Sequence, residues 1–197
     1  MGAAEELPTL NESFAHRYQA AARDRLSTPD DLIYFPSRPT LVVEVRPHRG
    51  RSWSGAFGEE WASPTYATGL YTTPDRDTIC VVSSGAGYFV ETTEPELAWI
   101  PVTCTPIRLV LPFPKLGLLV FGNFTDFTAY RLDPEHATVM KIAWRSARLG
   151  WDDLAVTRTT DDRIEGHAWH APDDRMVGFS LDVATGEHEG GAYPPES

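Results

Sequence analysis

Short apolar segments separated by turn residues recur along the C-terminal half of the chain, from about residue 117 to about residue 191. Each segment is about five to eight residues long and is closed by a turn rich in Asp, Gly or Pro. The strands predicted from this pattern are 118–122, 127–132, 139–144, 155–159, 164–170 and 176–183. Runs of this length with such turns are typical of antiparallel sheet built largely from hairpins. The pattern therefore predicts a hairpin-rich region over residues 117–191.

The N-terminal half carries shorter strand signals that are interrupted by proline and glycine. The strands predicted there are 32–35, 41–45, 78–83, 88–92, 97–102 and 107–111. Prolines at positions 101, 106, 112 and 114 place the last two segments at a sheet edge or at bends, because proline cannot donate to a β-ladder. The predicted fold class is mostly β, either a curved antiparallel sheet or two packed sheets, as in a sandwich or a split barrel.

One helix is expected to accompany this sheet structure, at residues 9–26. Thr9 and Glu12 have the spacing of a capping box, and Pro29 would end the helix. The apolar residues that would share one helical face are Leu10, Phe14, Tyr18 and Ala21. We expect this helix to pack over a face or an edge of the sheet.

The apolar residues of 46–69 follow neither the period of a helix nor that of a strand, so this segment is predicted to form a long loop. The loop contains four aromatic residues, Trp53, Phe57, Trp61 and Tyr66. Loops of this length are uncommon in compact domains unless they are functional or disordered, and disordered segments contain few aromatics. An ordered loop is therefore expected, either as a binding surface or as a segment that its aromatics fasten over a sheet face.

A positive patch begins the same segment, formed by Arg46, His48, Arg49 and Arg51. Arginine and aromatic side chains are enriched at binding hot spots. The residues predicted to bind a partner here are Arg46, Arg49, Arg51, Trp53, Phe57 and Trp61.

Charge is distributed unevenly over the 197 residues, whose net charge is −11. From Gly150 onward there are eleven acidic residues against three arginines, a local net charge of −8. The acidic residues predicted to bind a partner are Asp161, Asp162, Asp173 and Asp174. A surface of this sign disfavours nucleic acid and is compatible with a basic protein partner, or it serves only to keep the protein soluble.

The length and composition are those of one globular domain, predicted to span residues 1–197. No apolar run reaches the roughly 18 residues that span a bilayer, and the first 25 residues lack the apolar core of a secretion signal. We therefore expect a cytoplasmic protein, a monomer or a homodimer, without membrane contact. Because Lys115 and Lys141 are the only lysines among 17 basic residues, a GC-rich and bacterial genome is expected.

No metal, cofactor or catalytic motif is predicted. Cys80 and Cys104 lie in predicted strands as buried free thiols, and no Cys-x-x-Cys pair occurs. His167 and His170 would point to opposite faces of a strand, which disfavours a shared metal. The acidic doublets have the composition of turns rather than of a calcium loop, and neither a nucleophile elbow nor a phosphate-binding loop is present.

Two segments, 118–146 and 174–187, resemble blade fragments of quinoprotein-type β-propellers. The first ends a series of strands in tryptophan, and the second has the strand followed by an Asp-x-x-Thr-Gly turn. The resemblance covers about 45 residues, whereas a complete ring needs about four blades of roughly 40 residues each. No cofactor-binding residue of that family carries over to this chain.

Two functions from different classes follow as hypotheses. The first is a non-enzymatic binding protein that recognises another, basic protein, such as a toxin that it neutralises. The alternative is an enzyme or a small-ligand-binding protein with a carboxylate-lined pocket on a concave sheet beneath the loop at 46–69. Two carboxylates within about 5–10 Å in a deep pocket would favour the alternative.

Overall fold

The structure, a computed structural model, describes residues 7–23, 32–35, 41–58, 63–136 and 139–193. These residues form seventeen β-strands in four sheets, which confirms the mostly β fold class. The chain divides into two compact units, Met1–Thr105 (unit 1) and Pro106–Ser197 (unit 2). The single domain expected over residues 1–197 stays a prediction.

Unit 1 contains two sheets of unequal size. Its strands are β1 Leu10–Asn11, β2 Tyr18–Arg23, β3 Leu32–Tyr34, β4 Leu41–Pro47, β5 Trp53–Phe57, β6 Gly69–Thr72, β7 Thr78–Ser83, β8 Ala86–Glu91 and β9 Trp99–Pro101. One sheet has the order β1-β6-β7-β8-β9 and the other the order β2-β4-β5-β3. The pairs β1–β6 and β3–β5 are parallel, and the remaining pairs are antiparallel.

The two sheets of unit 1 share one hydrophobic core. Alternate residues of β4, including Val43 and Val45, lie in the same buried cluster as Ile79 and Val81 of β7. This alternation is the ordinary consequence of the strand period of two, which sends successive side chains to opposite faces.

Unit 2 consists of two meanders in which each strand pairs with the next one along the chain. Its strands are β10 Leu109–Phe113, β11 Leu118–Gly122, β12 Phe127–Leu132, β13 Met140–Arg145, β14 Asp152–Thr159, β15 Arg163–His170, β16 Arg175–Asp182 and β17 His188–Gly190. The sheet orders are β10-β11-β12-β13 and β14-β15-β16-β17, all antiparallel. Phe127 and Trp144 of the first sheet share a core with Ile164, Phe179 and Leu181 of the second.

The predicted N-terminal helix is wrong within the described residues, where this part of the chain forms β1 and β2. The backbone of β2 pairs with β4, and the N–H of Phe14 donates to Oγ1 of Thr72 at 2.9 Å. Tyr18 and Ala22 face the core with the period of a strand, which a run of alanines hides in the sequence. Residues 24–26 lie outside the described residues. The described part of the chain also contains no helix long and apolar enough to cross a membrane.

The loop predicted at 46–69 contains a strand, β5, and the prediction of an aperiodic loop is therefore wrong for its first half. The strand pairs with β4 and β3, although Ser54 and Gly55 interrupt its apolar pattern. A Cβ at Gly55 would lie only 2.8 Å from the ring of Phe57 and 2.9 Å from that of Trp53. Glycine therefore lets two large rings lie side by side in the core, and the same glycine obscures the strand in the sequence.

Cys80 and Cys104 are both buried, as predicted, and both are free thiols. Cys80 is completely buried in β7, and this burial raises the pKa of its thiol. A thiol that remains protonated in the core is a poor nucleophile.

Candidate functional site

An apolar cleft of about 290 Å³ lies in unit 1, and we call it the Trp53 cleft. Its apolar walls are formed by Ile33, Trp53, Pro95 and Leu97. Its polar rim is formed by Arg51, Thr93, Glu94 and Glu96. Ile33 and Trp53 lie in β3 and β5 of one sheet, whereas Pro95 and Leu97 lie in the turn between β8 and β9 of the other.

The wall that Trp53 forms is fixed by a hydrogen bond from β5 to the residue that follows β8. Trp53 is 7% exposed, and its indole Nε1–H donates to the main-chain oxygen of Thr92 at 2.8 Å. The N–H and hydroxyl of Thr92 in turn donate to the main-chain oxygen of Asp77, at 2.8 and 2.7 Å. A buried indole with a satisfied N–H is held in one orientation, so the wall that it provides is rigid.

Residues 93–97, which also line the cleft, form a turn that the carboxylate of Glu91 stabilises. This carboxylate accepts the N–H of Thr93 at 3.1 Å, the hydroxyl of Thr93 at 2.8 Å and the N–H of Glu94 at 2.6 Å. The main-chain oxygen of Glu94 then accepts the N–H groups of Leu97 and Ala98, at 3.1 and 3.0 Å. The turn is therefore ordered before any ligand arrives, which lowers the entropic cost of binding.

Leu97 stands on this ordered turn with 85% of its surface exposed. Single exposed leucines are common and need no explanation. Leu97 differs because it borders a cleft whose other walls are apolar, so an incoming apolar side chain would be covered on several sides.

The charged rim of the cleft has no internal partners. Within the described ranges, no ion pair or side-chain hydrogen bond involves the side chains of Arg51, Glu94 or Glu96, and all three residues are exposed. The groove of about 270 Å³ in unit 2 is different, because Lys115 Nζ and Asp161 Oδ2, which both line it, form an ion pair at 2.5 Å. In the Trp53 cleft, by contrast, the charged side chains of the described residues remain available to a ligand.

The structure separates the arginines that the sequence predicted as one patch. Arg46 lies on β4 and is paired with Glu44, whose carboxylate also accepts hydrogen bonds from Arg23. The hydrogen bonds from Arg46 and then Arg23 lower the pKa of Glu44. Arg49 is exposed between β4 and β5 and does not line the cleft, whereas Arg51 does.

Phe57 lies in the core rather than at the surface, so its predicted role in binding a partner is wrong. It is fully buried and stacks on Phe35 with ring centroids 4.2 Å apart, as part of the core of unit 1. Trp61 lies outside the described residues. Of the predicted aromatic anchors, Trp53 is the one that the structure places at a cleft.

The acidic doublets lie at opposite ends of β15, so they do not form one patch. Asp161 and Asp162 occupy the turn before the strand, and Asp173 and Asp174 the turn after it. An eight-residue strand separates its ends by about 23 Å. Part of the charge is also neutralised locally, since Asp161 pairs with Lys115 and Asp173 Oδ2 lies 3.3 Å from Arg175 Nη2.

His167 and His170 lie on opposite faces of β15, as predicted. His167 is exposed, and its neighbours in sequence, Gly166 and Ala168, are buried on the inner face that His170 shares. His170 Nδ1 lies 3.1 Å from Asp173 Oδ2. No cluster of three His, Cys, Asp or Glu that could hold a metal is found among the described residues.

Sequence reasoning missed Glu91, Glu94 and Leu97 as parts of a site. Pro95 is typical of a turn, but a turn signal carries no information about which residues the turn will contact in the fold. The pairing of this turn with Trp53 depends on the packing of two sheets, and no local pattern encodes it.

Comparisons of the chain with models of protein families, with curated proteins and with solved structures found no match in any of the three.

Proposed function

We propose that the protein is a non-enzymatic binding protein of the bacterial cytoplasm that recognises another, basic protein. The observation that carries this proposal is the Trp53 cleft, an ordered apolar cleft with Glu94 and Glu96 unpaired at its rim. A segment of the partner inserts an apolar side chain beside Leu97 and places basic side chains near the two glutamates. Neutralisation of a basic toxin is one biological setting that fits this chemistry.

The apolar contact supplies most of the affinity in this proposal. Covering an exposed aliphatic side chain is worth about 1.5–3 kcal/mol, whereas an exposed ion pair contributes about 0.2–1 kcal/mol. The glutamates therefore select the partner more than they hold it. Because one anchor cannot account for a stable complex, contacts beyond the cleft are expected, to bury the roughly 1,200–2,000 Å² of a standard interface.

The acidic segment after Leu149 has a separate part in the proposal. Its net charge of −8 would attract a basic partner during approach, even though the acidic doublets lie at opposite ends of β15. Steering of this kind raises association rates and is screened by salt, with a Debye length of about 8 Å at physiological ionic strength.

Selection from a random peptide library displayed on phage tests the proposal. The wild-type protein should enrich peptides with an apolar residue next to Lys or Arg at about 50 mM salt, and Leu97→Asp and the double variant Glu94→Gln, Glu96→Gln should lose that enrichment. Leu116→Asp is the matched control, since Leu116 is an exposed leucine in unit 2 with 41% of its surface accessible. Enrichment that is absent, or that survives Leu97→Asp, would contradict the proposed function.

A second candidate function is supported by the composition of the same rim. Glu94 and Glu96 line a cleft together with Trp53, which belongs to the segment at 46–69, as a carboxylate-lined site for a small ligand would require. The cleft volume of about 290 Å³ is just below the roughly 300–1,000 Å³ of small-molecule sites, which places this candidate second. A thermal-shift screen of small zwitterions separates the two, because only the second candidate predicts stabilisation that Leu97→Asp abolishes.

A further inference from the structure

We infer that the Trp53 cleft selectively binds a bipolar segment of the partner protein, in which an apolar residue is flanked by basic side chains on one side and by a carboxylate on the other. The carboxylate faces Arg51, and the basic side chains face Glu94 and Glu96. This inference rests on the proposed function and adds to it the order of charges in the bound segment.

The two signs of charge come from connections that adjoin different sheets. Arg51 stands two residues before Trp53, at the start of β5, and the two glutamates stand on the turn that follows β8. The hydrogen bond from Trp53 to the main-chain oxygen of Thr92 links these two segments beside the cleft. The arrangement of positive and negative groups around the apolar walls is therefore fixed by the fold.

The rim does not neutralise itself, and this is what makes it available to a ligand. No pair of the described side chains joins Arg51 to Glu94 or Glu96 within 4.0 Å. If these charges served only solubility, their order around an apolar cleft would have no effect on binding. Because the walls are apolar and the opposite charges remain separate, a segment of matching order satisfies both signs at once.

Segments of uniform charge fit this rim poorly. A purely basic segment satisfies Glu94 and Glu96 but places a cation beside Arg51, and a purely acidic segment has the reverse fault. The cost of each mismatch is modest at an exposed site, so the charge order controls specificity while the apolar residue provides affinity.

The experiment measures the binding of three labelled peptides to the full chain by fluorescence anisotropy at about 50 mM salt. The peptides are Lys-Lys-Leu-Asp-Asp, Lys-Lys-Leu-Lys-Lys and Asp-Asp-Leu-Asp-Asp, each acetylated and amidated so that terminal charges do not contribute. Wild-type protein is expected to prefer the bipolar peptide by about fivefold, in line with one or two exposed ion pairs.

Charge reversal at the rim should change this preference in a defined direction. Arg51→Glu should shift the preference to the all-basic peptide, and the double variant Glu94→Lys, Glu96→Lys to the all-acidic one. Arg49→Glu is the matched control, because Arg49 is an exposed arginine on the same connection but does not line the cleft, and it should keep the preference of the wild type. Circular dichroism checks that each variant is folded. We expect all of them to fold, because the substituted side chains are exposed.

The outcomes distinguish the inferred charge order from the proposed function. Equal binding of all three peptides, or an unchanged preference in Arg51→Glu, would overturn the inference of a bipolar segment and leave the proposed function standing. Failure of the folded wild-type protein to bind any of the three at about 1 mM overturns both.

Discussion

Replacement of Trp53 by phenylalanine tests how much the hydrogen bond from Trp53 to Thr92 stabilises the packing of the two sheets of unit 1. The substitution keeps an aromatic ring in the core and removes the Nε1–H that donates to Thr92 at 2.8 Å. Thr92 is fully buried, so its main-chain oxygen would lose this donor without gaining contact with water.

The expected loss of stability has two parts. A buried carbonyl that loses its donor costs about 1–3 kcal/mol. The smaller ring gives up roughly 40 Å² of buried apolar surface, which is worth about 1 kcal/mol at 25 cal/mol per Å². The free energy of unfolding should therefore fall by about 2–4 kcal/mol.

Urea denaturation followed by circular dichroism measures this change. Trp151→Phe is the control, because Trp151 is 41% exposed and its indole N–H donates to no group within the described residues. We expect the control to lose no more than about 1 kcal/mol. A loss below about 1 kcal/mol for Trp53→Phe, or equal losses for the two variants, would show that the hydrogen bond to Thr92 does not tie the sheets.

Two further predictions concern single carboxylates. Hydrogen bonds from the ion-paired Lys141 and then from the N–H of Glu135 lower the pKa of Asp133 from 3.8 to about 2. Its stabilising effect is therefore complete above about pH 4 and is lost as the pH falls through about 2. Asp133→Asn should be less stable than wild type in urea titrations at about pH 6, and most of that difference should be gone near pH 2; a difference that persists unchanged at about pH 2 would refute the assignment. Glu91→Ala removes the acceptor of the Glu94 N–H, so hydrogen exchange at the Glu94 amide should accelerate by at least about tenfold. The core amides of β7 should stay protected. Unchanged exchange at Glu94 would mean that the turn does not depend on Glu91.

The strands of unit 2 could be predicted from the sequence because each apolar run ends in a turn residue and pairs with the run beside it. Where the prediction was wrong, the local signal was ambiguous or pointed elsewhere. Residues 18–23 contain three alanines, which suit a helix, and only their pairing with β4 makes them a strand. Gly55 interrupted the apolar pattern of β5 for a packing reason, since it leaves room for two rings.

The candidate site was predictable only in part, for a related reason. Arg51 and Trp53 were found by their residue types, but Phe57 has the same type and lies in the core. A sequence shows which side chains could bind, whereas burial decides which of them are accessible. Leu97 was predicted only as the start of a strand at 97–102 and carried no signal of a binding role, because the role of an exposed leucine depends on its neighbours in the fold.

The order in which strands pair has a consequence for how the chain reaches its structure. In unit 2 every ladder joins strands that are consecutive in sequence, whereas in unit 1 Leu10 pairs with Leu70, across sixty positions. Short-range ladders close with little loss of chain entropy and form quickly, so unit 2 should gain protection first in pulsed hydrogen exchange during refolding. During synthesis the order of emergence is the reverse, because the slower half leaves the ribosome first and must wait for β6 before its first strand has a partner. The N-terminal half therefore spends the longest time exposed as a nascent chain, and it is the half for which a chaperone would matter.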